Sequence, residues 1–115
     1  RNWNAHADKF ANLAYDGQLN EVNFDANCRS HVHCTGMRVF ISMDGACKGN
    51  PGAGAWGVCM WSVCAHEIKM LANACGYLSH TTNVHMEMEA MINAFRLFIR
   101  FVVYVRMNTI EGISA

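Results

Sequence analysis

Between Gly45 and Gly57 the chain places five of its nine glycines and its only proline, Pro51. Glycine at that density predicts a tight loop whose backbone is brought close to something, because a residue without Cβ is what close approach and tight turning require. The segments on either side restrict the fold further. Met37–Met43 is apolar and β-branched, reads as a strand, and ends at Asp44-Gly45. Trp56–Trp61 reads as a second strand. Glu67–Cys75 reads as a third, with Glu67 and Lys69 alternating against Ile68 and Met70 until Gly76 ends it. Short connections predict an antiparallel meander of the three.

Thr81-Thr82-Asn83 supplies helix-capping chemistry, and the helix that follows is expected over about residues 84–98. Val84, Met88, Met91, Phe95 and Ile99 fall on one apolar face of it, at spacings of four, three, four and four. Phe101–Met107 is apolar on both faces, the pattern of a buried strand. A helix between it and the meander predicts parallel pairing with the first strand through a right-handed crossover. The expected architecture is therefore α/β: three antiparallel strands, a helix, and a parallel fourth strand in one mixed sheet. The preceding residues differ. Within 1–36 the only periodicity is that of Trp3, Phe10 and Ala14, with Ala7 and Leu13 beside them. This predicts a short helix over about 3–14, then loop to residue 36, so that 1–36 reads as an N-terminal extension and 37–115 as the domain.

Composition narrows the function classes. A chain of 115 residues is one domain's worth, and 52% hydrophobic against 16% charged residues excludes a disordered or highly charged segment. Nine basic and nine acidic residues cancel, so charge gives no sign of a nucleic-acid module. No apolar run approaches the roughly 20 residues of a membrane span. The start, Arg1-Asn2-Trp3-Asn4, is too polar for a signal peptide and has no Met, which points to a processed chain or a fragment. Of six cysteines, Cys59, Cys64 and Cys75 lie in apolar, strand-like surroundings. The expectation is reduced, buried thiols in a cytoplasmic protein.

Candidate chemistry begins with Asp44, a carboxylate at a strand end backed by a glycine turn, readable as a metal ligand or as an ordinary turn residue. Glu87 and Glu89 sit in the first turns of the helix. At about 100° of rotation per residue they flank the apolar face on opposite sides, so only one can face the sheet edge that carries Asp44. Two stretches then resemble something specific. Asp44-Gly45-Ala46-Cys47-Lys48-Gly49-Asn50-Pro51-Gly52-Ala53-Gly54-Ala55-Trp56-Gly57 is similar to the first motif of the ribonuclease H family, type 1 branch. Gly76-Tyr77 followed by Thr81-Thr82-Asn83-Val84-His85-Met86-Glu87 resembles the second. The resemblance covers about residues 37–113, with both motifs in the family's order.

That resemblance implies cleavage of the RNA strand of RNA/DNA hybrids by two divalent ions, Mg²⁺ with Mn²⁺ as substitute, held by clustered carboxylates. It selects Glu87 over Glu89, makes Asp44 and Glu87 metal ligands, and assigns contact with the hybrid to Gly45, Cys47, Asn50 and Asn83, the RNA being read through its 2′-hydroxyl groups. It also implies a third carboxylate at the end of the fourth strand, where Asn108 is the counterpart. A fourth, with a loop histidine, belongs to a C-terminal part expected beyond Ala115. An amide at 108 brings no charge, so weak metal binding is expected, and Val84 replaces an Asn that helps grip the hybrid. Glu111 is a conceivable substitute ligand. Two rival readings follow: a remnant that binds the hybrid without cleaving it, and a small zinc protein built on Cys28, His31, His33 and Cys34. The sequence does not set the oligomeric state.

Overall fold

A computed structural model describes the backbone of residues 3–25, 38–65 and 67–114, and their side chains except at 3, 105 and 107–114. Among the described residues, two helices and four strands follow in the order α1 (Trp3–Gly17), β1 (Glu21–Phe24), β2 (Arg38–Cys47), β3 (Gly52–Cys64), β4 (Glu67–Thr81) and α2 (Asn83–Ser114). The sheet order is β1-β4-β3-β2, and each neighbouring pair is antiparallel. This is an α/β fold, with the meander of β2, β3 and β4 as expected.

The glycine-rich stretch is mostly strand, not loop. Only residues 48–51 turn the chain between β2 and β3. The Lys48 N–H donates to the Ala53 carbonyl at 2.8 Å to close this turn, and Gly49 takes the positive φ of 84° that a tight reversal needs. The remaining glycines sit in β2 and β3, and at Gly45 and Gly57 the missing Cβ admits a helix backbone.

Three expectations are corrected. Residues 15–36 were expected as loop, yet Glu21–Phe24 forms β1 on the outer side of β4. Phe101–Met107 was expected as a parallel strand, yet α2 runs through it without a break. The buried positions show why. Ala90, Ala94, Leu97 and Phe101 continue at spacings of four, three and four, and Tyr104 then stacks on Phe24 of β1 with ring centroids 5.6 Å apart. A β-branched run followed the helix because its inner face still had a surface to cover.

The third correction concerns which face of α2 is inside. Val84, Met88, Met91, Phe95 and Ile99 are all exposed, Val84 and Phe95 by 66% each. The core is formed instead by Met86, Ala90, Ala94, Leu97 and Phe101 against Trp56, Val58, Met60, Leu71, Ala72 and Ala74 of the sheet. Ala90 and Ala94 hold the middle of that face because the helix lies close to the strands there, and a larger side chain at either would hold it off.

On the opposite sheet face α1 buries Ala7, Ala11 and Ala14, with Phe10 and Tyr15 packed beside them. Cys47, Cys59 and Cys75 are free thiols, but Cys64, at the half-buried end of β3, is held in a disulfide, contrary to the reduced state expected of it. Burial pushes the Cys59 thiol up to about 12, the Ser42 hydroxyl pulling the other way. With a folded pKa above the unfolded one, the stability this thiol contributes is full below about pH 9 and is lost toward pH 12. In the folded chain at pH 9, iodoacetamide is therefore expected to leave Cys59 unmodified, with alkylation appearing on unfolding, as peptide mass spectrometry would record.

No described helix is long and apolar enough to cross a membrane. Cys28, His31, His33 and Cys34 lie outside the described residues.

Candidate functional site

The site forms where the β2–β3 turn meets the start of α2. Thr82 caps that helix: its Oγ1 accepts from the His85 N–H at 3.2 Å, and its carbonyl accepts from the Met86 N–H at 3.0 Å. The next residue ties the helix to the turn. Asn83 Oδ1 accepts the Cys47 N–H at 2.8 Å, while the Asn83 N–H donates to Asn50 Oδ1 at 3.0 Å. Cys47 Sγ lies 3.6 Å from the same Asn50 oxygen. Cys47, Asn50 and Asn83, singled out from sequence as substrate contacts, are thus joined in one clamp. Their amide oxygens are spent inside it, which leaves the side-chain N–H groups of Asn50 and Asn83 to meet a ligand.

Gly45 sets the distance between strand and helix. A Cβ built there would lie 2.3 Å from the Met86 carbonyl oxygen and 3.2 Å from the Glu87 nitrogen. No side chain fits that gap. The contact brings the backbone before it, at Asp44, near the turn of α2 that carries Glu87; the Asp44 side chain lies on the α1 side of the sheet, and Glu87 reaches it only by charge.

Electrostatics at Asp44 record the crowding. Burial raises its carboxyl above the ordinary aspartate value. A side-chain hydrogen bond from Asp8 and the charges of Asp8 and Glu87 raise it further, against one lowering hydrogen bond from the Gly45 backbone. Asp8 was not picked out from sequence. It lies in the stretch read as an extension, and no spacing within α1 marks it. Among the described residues no group of three or more His, Cys, Asp or Glu is gathered tightly enough to hold a metal ion: Asp8 bonds to Asp44, and Glu87 acts on it by charge alone.

Glu89 is engaged within α2, its carboxylate 3.4 Å from His85 Nε2 and accepting from Asn93 Nδ2 at 3.2 Å. Asn108 does not join the site. It stands inside α2 and not at a strand end, and 21 residues of helix carry its backbone roughly 30 Å along the axis from Glu87. Glu111 lies further along the same helix.

The comparisons with known proteins agree with this geometry. The family model described as RNase H matches residues 36–108. A Ribonuclease H from Ruegeria pomeroyi is 43% identical over 56 residues, which are 49% of this chain and 36% of that protein. One from Thiobacillus denitrificans is 45% identical over 62 residues, 54% of this chain and 38% of the relative. One from Dichelobacter nodosus is 48% identical over 56 residues, 49% and 34% respectively. The chain thus spans little more than a third of the length of these curated relatives.

Proposed function

The chain belongs to the ribonuclease H family, and we propose that it acts as that family does, hydrolysing the RNA strand of an RNA/DNA hybrid at a centre built on Asp44 and Glu87. The observation that supports this reading is the clamp of Cys47, Asn50 and Asn83, which ties the turn that follows Asp44 to the start of the helix that carries Glu87. A side chain at Gly45 would push that helix off the strand.

The donor set fits a hard divalent cation such as Mg²⁺ or Mn²⁺, since every candidate ligand is a carboxylate oxygen. Like charges that already raise the proton affinity of Asp44 call for a neutralising partner. When bound, such ions would activate a water and offset charge on the leaving oxygen. The protein's part is positioning. Asp44 and Glu87 hold the centre, while the Asn50 and Asn83 N–H groups, fixed by the clamp, are placed to donate to 2′-hydroxyl and phosphate oxygens of an RNA strand lying along the turn. Net charge contributes little, because the recognising groups are neutral amides and backbone.

The test is incubation with a hybrid labelled on either strand, with Mg²⁺ or Mn²⁺. Cleavage of the RNA strand alone, abolished by EDTA, is the expected result. A gel shift on the hybrid with both strands intact would replace this reading with hybrid binding without cleavage.

A further inference from the structure

The outer face of α2 carries an inference independent of the reading under Proposed function. Val84, Met88, Ile92, Phe95, Ile99 and Val103 stand exposed on it, each by between 42% and 66%. At about 100° of rotation per residue they form one stripe, opposite the Ala90–Ala94 face that meets the sheet. Single exposed apolar side chains are ordinary, whereas a contiguous run along one helix marks a surface that another molecule covers. The spacings of the six are four, four, three, four and four, and they read the same from either end. A second α2 turned end for end about the midpoint between Asn93 and Ala94 therefore sets Val84 against Val103, Met88 against Ile99 and Ile92 against Phe95. A surface that complements itself in this way suits a two-fold pair.

The charges beside the stripe fit the same pairing. Glu89, Arg96 and Arg100 lie on one flank of α2. Neither guanidinium makes an ion pair among the described residues. Both line a groove of about 310 Å³ between α2 and Val22 of β1, and no described acidic side chain lines it with them. Like flanks face each other in an antiparallel pair, and the turn that matches Val84 to Val103 carries Glu89 onto position 98. Glu89 of one chain thus arrives midway between Arg96 and Arg100 of the other, where its own chain supplies no carboxylate.

We propose that α2 is the interface of a two-fold homodimer, in which two copies of this chain pair antiparallel through the stripe. From Val84 to Val103 is about 30 Å of helix. At one helix width the pair removes on the order of 1,000 Å² from water, the low end for specific complexes. A contact that small dissociates readily, so at low micromolar concentration each chain stands alone.

Sedimentation equilibrium of the full chain between about 1 and 500 µM tests the pairing. The mass is expected to rise from the 12.8 kDa of one chain to twice that value and no further. Phe95→Asp, at an exposed position, is expected to keep the circular dichroism spectrum and to weaken association about tenfold or more. Charge exchange reads the register. Glu89→Arg by itself sets like charges together, as does the double variant Arg96→Glu, Arg100→Glu, and each is expected to stay monomeric across the range. An equimolar mixture of the two is expected to regain the dimer, because each then offers the other the opposite sign. The mass of one chain at every concentration would overturn the proposal and leave the stripe to a different occupant. Association that Phe95→Asp leaves unchanged, growth beyond two chains, charge variants that pair as the parent does, or a mixture that stays monomeric would each overturn it as well.

Discussion

Asp44→Asn is expected to make the protein more stable and to abolish cleavage of the hybrid. The stability half follows from the sign of the pKa shift. Burial, then Asp8, then Glu87 raise the Asp44 carboxyl above its unfolded value of 3.8. A group raised in this way contributes stability that is complete below the unfolded pKa and is lost as pH climbs through the folded one. At pH 7 the ionised carboxylate is therefore a net cost, which a neutral isostere removes. The melting temperature of the variant should exceed that of the parent at pH 7, and the two should converge near pH 3. Millimolar Mg²⁺ should raise the melting temperature of the parent only, because ligand binding stabilises the state that binds. Cleavage should fall at least a hundredfold, since a charge-stabilising group of this kind is worth several kcal/mol in the transition state. Wild-type cleavage by the variant would remove Asp44 from the chemistry, and a lower melting temperature at pH 7 would show that the carboxylate is not strained there.

Leu97→Ala and Phe95→Ala, two residues apart on α2, are expected to differ by several kcal/mol in unfolding free energy. Leu97 is 2% exposed in the core between helix and sheet. Its truncation leaves a cavity among close-packed neighbours and should cost about 2–4 kcal/mol. Phe95 is 66% exposed, and its truncation should fall within about 0.5 kcal/mol of neutral. Urea unfolding with unchanged m-values checks both. A larger loss at Phe95 than at Leu97 would mean that the outer face of α2 is covered in solution. The comparison is sharp because a hydrophobicity scale ranks Phe95 above the alanines that are in fact buried.

The turn and the helix cap of the candidate site were legible for a physical reason. Asp44, Gly45, Cys47, Asn50, Asn83 and Glu87 all lie within two short stretches, and their geometry is set by local structure: a four-residue turn, a Thr cap, and a glycine where helix and strand touch. Local chemistry of that kind is written in adjacent residues. The same holds for the meander, whose strands alternate or run apolar and are joined by short turns.

The misreadings share one cause. The parallel fourth strand, the loop at 15–36 and the inward Phe95 face were inferred from segments taken one at a time. In the folded chain Tyr104 of α2 stacks on Phe24 of β1, a pairing of residues 80 positions apart that extends the helix and gives β1 a reason to exist. Likewise, what buries the Ala90–Ala94 face is its closeness to a sheet already opened by glycines, since the packing of a small residue depends on what stands opposite. Asp8 is the plainest case. Nothing within α1 distinguishes it from Asp16, and it shares a recess with Asp44 only because Gly57, half the chain away, lets Ala7 and Ala11 sit down on the sheet there.

The glycine-rich stretch thus carried two kinds of information. Its order along the chain already implied the family and the hairpin, because a turn depends on neighbours in sequence. Which helices its bare backbone would admit, and that one of them would bring Asp8 to the recess that Asp44 lines, depended on contacts across the sheet that come into being when the chain folds.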